Sequence, residues 1–161
     1  MNLLSTLLFA AAASASPLEK LFNLVTSGSG SNNGLYVTTE SNGPLNSIAV
    51  LSDKADAATF YVNHGTVRYQ APNGAPYAMA LVSGSDAQEP VEVSVSPSSG
   101  SSGFKVADNG VLSVEGQNWG GWLVCDGDSE PALEYVNTQS TADLKEGCEK
   151  VQLHAVVETS S

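Results

Sequence analysis

Apolar stretches in this chain are short, alternate with polar residues, and stop at Gly, Asn or Pro. That pattern constrains the fold more than any other feature. A side-chain period of two places one face of a strand in a core and the other in water, whereas a helix needs apolar residues at three- and four-residue steps. The alternating segments are "LFNLVTS" (Leu21 to Ser27), "GLYVTTE" (Gly34 to Glu40), "TFYVN" (Thr59 to Asn63), "TVRYQ" (Thr66 to Gln70), "YAMALVS" (Tyr77 to Ser83), "VEVSVS" (Val91 to Ser96), "FKVAD" (Phe104 to Asp108), "VLSVEG" (Val111 to Gly116), "GWLVCD" (Gly121 to Asp126), "ALEYVN" (Ala132 to Asn137) and "VQLHAVV" (Val151 to Val157). Between them lie turn sequences such as "SGSGSNNG", "SNGP", "APNGAP" and "SPSSGSSG". Gly and Asn there supply positive φ and Pro a fixed φ. About 11 or 12 short antiparallel strands at regular spacing predict an all-β fold, a single small closed barrel or a sandwich.

Two further features bear on architecture. "LYV" at Leu35, "AMALV" at Ala78 and "GWLVC" at Gly121 recur at about 43-residue intervals, and "FYVNHGTV" from Phe60 is echoed by "FKVADNGVL" from Phe104. Such a period in a β chain points toward a threefold barrel of β-trefoil type. The third unit lacks the Phe-turn-Gly echo, which leaves an ordinary barrel or a sandwich open. Each echo reads as a hairpin, with Asn109-Gly110 the better type I′ turn. Single helical turns are expected only at "SDKADAA" (Ser52 to Ala58) and "TADLKEG" (Thr141 to Gly147), and the last strand is expected to pair with the first.

Residues 1–15 read as a signal peptide: "LLSTLLFAAA" is an apolar run of suitable length, and Ala13-Ser14-Ala15 offers small residues for cleavage. Residues 16–161 then form one secreted all-β domain. No later apolar run approaches the ~20 residues of a membrane span. The 17 acidic residues against 6 basic ones give a net charge of −11, which excludes nucleic acid and anionic membranes as partners, because both need cationic side chains. Cys125 and Cys148 are the two cysteines of an exported chain and read as one disulfide rather than two free thiols. Its loop of about two dozen residues would be worth about 3 kcal/mol in the loop-entropy model.

Catalytic signals are weak. No Gly-x-Ser-x-Gly elbow is present, His64 falls in a predicted turn and His154 inside the last strand. Asp126, Asp128 and Glu130 alternate like the start of a Ca²⁺ loop but lack its remaining ligands, and Asp126 with Asp128 has little claim to glycosidase chemistry in so small a β domain. No metal, cofactor or catalytic residue is expected. The better functional candidate is carbohydrate: Trp119 could present its indole to a sugar ring, with Asn118, Asp126 and Asp128 bonding hydroxyls. Trp122, alternating inward with Val124, is expected in the core with Phe60 and Phe104.

The C-terminal third, "GGWLVCDGDSEPALEYVNTQSTADLKEGCEKVQLHAVVE", resembles the end of the PhiA-like family of fungal secreted cell-wall proteins and related fungal antigens. The matching positions are Gly121 to Cys125, Leu133 to Val136, Gly147 with Cys148, and Val151 to Glu158. Asp126 stands where that family commonly has Pro, and its N-terminal cysteine pair is missing. The resemblance implies a non-enzymatic exported protein of the cell wall, concerned with conidia, their phialides and stress protection; cell-wall polysaccharide is the partner expected from the Trp119 reading. A lectin-like module and an apoplastic effector are the alternatives.

Overall fold

In the computed structural model, residues 20–95 and 100–158 are described. The expected signal peptide, residues 1–15, lies outside the described residues. Twelve strands follow one another: β1 (Phe22–Ser27), β2 (Tyr36–Gly43), β3 (Asn46–Ser52), β4 (Phe60–Asn63), β5 (Thr66–Gln70), β6 (Pro76–Leu81), β7 (Gln88–Ser94), β8 (Phe104–Val106), β9 (Leu112–Val114), β10 (Trp119–Cys125), β11 (Ala132–Asn137) and β12 (Cys148–Val157). One 3-10 turn, Lys54–Asp56, falls inside the first expected helical segment. Thr141 to Gly147 makes no helical turn. There the Lys145 N–H donates to the Gln88 side-chain oxygen, so a tertiary bond takes a donor that a helix would have used.

All ladders are antiparallel, and six strands close a barrel. β1 meets β4 at Phe22 and Phe60, and β4 and β5 form a hairpin. The Phe104 N–H at the start of β8 donates to the Gly65 carbonyl beside β5. β8 and β9 form the second hairpin, and Val111 beside β9 bridges His154 of β12. β12 then pairs with β1 from Phe22↔Val157 to Ser27↔Gln152, as expected. Three further hairpins, β2–β3, β6–β7 and β10–β11, cap one end. Their second strands meet one another in a triangle, through Ser47↔Val93, Tyr135↔Glu89 and Ala132↔Val50. Six barrel strands and three capping hairpins in this order make the threefold pattern of a β-trefoil.

The core repeats with the strands. Leu24, Val67 and Leu112 occupy matching places in β1, β5 and β9, and Phe60, Phe104 and Leu153 do so in β4, β8 and β12. Val37, Met79 and Trp122 form the matching set in the first strands of the hairpins. Ala49 with Leu51, Val91 with Val93, and Leu133 with Tyr135 line the triangle. All of these are buried, including the three expected core aromatics Trp122, Phe60 and Phe104. Each fully buried large side chain is worth about 1.5–3 kcal/mol of transfer free energy.

Two sequence expectations are corrected. The type I′ turn belongs to His64-Gly65, both at positive φ (51° and 75°), between the paired residues Asn63 and Thr66. At the other hairpin only Gly110 is at positive φ, and its N–H bonds back to Ala107, so Asn109-Gly110 is not of that type. β3 itself, "NSIAVLS", was not among the expected strands. It pairs with β2 along its length and with β7 and β11 on its other edge, so its run of apolar residues lacks the alternation of a half-exposed strand.

Candidate functional site

The tryptophan and cysteine segment lies on β10. Trp122 is the anchor of its unit: its indole N–H donates to the Leu112 carbonyl at 2.9 Å, and its ring stacks on Phe104 with centroids 6.4 Å apart. Trp119 meets Trp122 edge-on, centroids 5.4 Å apart, and is half-buried. The Trp119 Nε1 is enclosed with no partner among the described residues. Between the two rings, Gly120 and Gly121 form a bulge in the β10–β11 ladder. Gly120 lies against β11, where an added Cβ would come 2.8 Å from the Thr138 methyl.

This geometry divides the candidate sugar-binding set. Asn118 is exposed at the start of β10, at a positive φ of 56°, whereas Asp126 and Asp128 are exposed beyond its other end. An extended strand rises about 3.3 Å per residue, so Asn118 and Asp126, eight residues apart, stand about 25 Å apart along it. Trp119, Asn118, Asp126 and Asp128 do not converge on one ring, a correction that strand direction makes unavoidable. His64 is exposed in its hairpin turn and His154 is half-buried in β12, as expected for a turn residue and a strand residue.

At the far end of β10, Cys125 and Cys148 face each other directly in the β10–β12 ladder and are joined by a disulfide. The Glu134 carboxylate lies 3.9 Å from the Cys148 sulfur. The ligand atoms of Cys125, Glu134 and Cys148 fall within 4.8 Å of one another, but the sulfurs are bonded to each other and present no thiolate pair to a metal. Burial pushes the Glu134 carboxyl above the ordinary 4.5; Lys145 draws it down and Glu89 pushes it up. Glu89 is buried, and the Asp86 N–H donates to it at 2.8 Å. Next to it, Tyr135 donates its hydroxyl to the Val82 carbonyl, and burial, then Glu89, raises its pKa. Asn137 holds the same loop through the Gly84 and Asp86 carbonyls. These groups brace the β6–β7 connection against β11.

A family model described as a domain of unknown function, DUF7907, matches residues 19–157. The chain belongs to this family. No curated protein and no solved structure matches it. The DUF7907 match takes in all twelve strands, the disulfide and every candidate residue, so the family unit and the β barrel are one object. No helix among the described residues of this DUF7907 domain is long and apolar enough to cross a membrane.

Sequence reading missed a second aromatic surface on the domain. Tyr69 of β5 and Tyr77 of β6 sit opposite each other, rings edge-on with centroids 5.8 Å apart. They border a cleft with Thr39, Ser47, Ala71, Pro72 and Asn73. The one signal available was "RYQAPNGAPY", a Pro- and Gly-rich turn flanked by two tyrosines. The β2–β3 wall of the cleft comes from residues too far away in sequence to associate with it.

Proposed function

We propose that the chain is an exported, non-catalytic protein that acts at the fungal cell wall. The observation that carries this reading is the Cys125–Cys148 disulfide between the neighbouring strands β10 and β12, in a fold whose core is filled by side chains. Such bonds persist in oxidising compartments and are rare in the cytosol. The acidic composition supports solubility outside the cell, and of the residues first considered for chemistry His64 is exposed on one turn and Asp126 and Asp128 on another. The likeness of the C-terminal third to PhiA-like wall proteins supports the location and suggests a part in conidial development and stress protection.

The test is to follow a C-terminally tagged copy in hyphae, conidia and culture medium. The expected result is a chain shortened near Ser16 and recovered from the wall fraction. An uncleaved chain retained in the cytosol would overturn the proposal, and accumulation inside host tissue would replace it with the effector reading.

A further inference from the structure

We infer that the cleft between the β2–β3 hairpin and the β5–β6 turn is a binding site for one ring of a neutral saccharide. The inference rests on the wall-associated reading only for the choice of sugars to try. The threefold pattern makes the cleft conspicuous. Tyr69 and Tyr77 have counterparts in the other two units: Thr26 and Leu35 in the first, Val114 and Trp119 in the third. At the second of these positions the core asks for an apolar body, and Leu35, Tyr77 and Trp119 all pack partly buried against it. Nothing in that packing asks for phenol oxygens. The Tyr69 and Tyr77 hydroxyls bond to no described residue and are not among the enclosed unpartnered atoms, whereas the Tyr135 hydroxyl is bonded within the fold. In the first unit the Thr26 hydroxyl is already engaged, donating to the Asn32 carbonyl and accepting from the Leu35 N–H.

The rest of the lining suits a sugar. Ser47 is only 8% exposed, borders the cleft, and its hydroxyl bonds to no described residue. Thr39 adds a second hydroxyl, and Asn73 holds the Ala75 N–H through Oδ1 at 3.0 Å, which leaves its amide nitrogen free to donate. The turn is pre-shaped: the Gly74 N–H bonds to the Ala71 carbonyl, and Gly74 is at φ 73°. Aromatic faces are electron-rich and attract the polarised C–H face of a pyranose, while the hydroxyl rim needs convergent polar groups. No charged residue is among those bordering the cleft, so the ring it takes is uncharged. Its volume of about 250 Å³ is below the ~300–1,000 Å³ of sites for drug-sized ligands and matches a single ring of a longer chain.

The experiment is a two-dimensional amide NMR titration of the purified, oxidised chain with β-1,3-glucohexaose, chitohexaose, α-mannohexaose and, as a charged control, a galacturonic acid oligomer. At least one neutral hexamer is expected to shift the amides of Thr39, Ser47, Asn73 and Tyr77, with no response to the acidic one. Tyr77→Leu copies the residue of the first unit, so it preserves the fold; it is expected to weaken binding more than tenfold. Ser47→Ala and Asn73→Ala are expected to weaken it about fivefold. Trp119→Phe is expected to leave it unchanged. No shifts with any neutral hexamer at millimolar concentration, shifts centred on Trp119, or unaltered affinity in folded Tyr77→Leu would each overturn the site. None of these results depends on where the protein is delivered in the cell.

Discussion

Glu134 sits half-buried beside the sulfur bridge, and its surroundings work against its charge. Burial and the neighbouring Glu89 both raise its pKa, and Lys145 offsets them only in part. The folded protein therefore holds this proton more tightly than the unfolded chain does. The protonated form's stabilisation is fully present below the ordinary value of 4.5 and is lost as pH rises through the raised one. Glu134→Gln mimics the protonated carboxyl. Its melting temperature is expected to exceed that of the unaltered protein at pH 7 and to converge with it near pH 4. Parallel curves across that range would show that the carboxyl is ionised without cost. At this scale the sequence was informative wherever a single residue carried its own signal. Trp122, Phe60 and Phe104, each followed two residues later by a valine, were legible as core, and two lone cysteines were legible as a pair. Trp119 and the Asp126–Asp128 turn were read as one site because they are close in sequence. A strand keeps its ends far apart, so proximity in sequence misled. Ser47, Thr39 and the two tyrosines pose the converse problem, since only tertiary pairing brings them together.

Among the elements, most of the legible strands have one wet face, β10 being an exception with Trp122 to Cys125 all buried. β3 escaped because the triangle of β3, β7 and β11 buries so much of it that periodicity disappears. The turn assignment failed for a related reason. Asn-Gly is a strong signal for a two-residue hairpin, yet His64-Gly65 takes that conformation here, with His64 held at positive φ between paired strands. The missing third echo also has a structural account. The strand that stands beside β12 as β5 stands beside β4 is β1, so no hairpin turn links that pair in sequence. The third unit is instead secured by the disulfide between β10 and β12. Cys148→Ser is expected to cost about 3 kcal/mol in the loop-entropy picture, or roughly 10 °C in thermal unfolding. A melting temperature equal to that of the oxidised parent would mean that the ladder alone holds β12 in place.

The whole molecule is three similar units wound around one core, with both ends of the described chain arriving at the same hairpin position. Phe22 and Val157 are paired partners, so a short Gly- and Asn-containing linker can join Glu158 to Lys20. New ends placed between His64 and Gly65 would then occupy the equivalent site in the next unit. Such a permutant is expected to fold, with near-ultraviolet circular dichroism from Trp122 and Trp119 like that of the parent, because chain ends at exposed turns are well tolerated. A soluble product without that signal would mean that the closure of β4 onto β5 must be covalent for the core to assemble. The position of the bridge has one more consequence. Residues between Cys125 and Cys148 form a covalent ring that includes β11 and the largely exposed Thr141–Gly147 stretch. A protease that nicks this stretch would yield two fragments that still migrate as one species on a non-reducing gel, and only a thiol would free the tail.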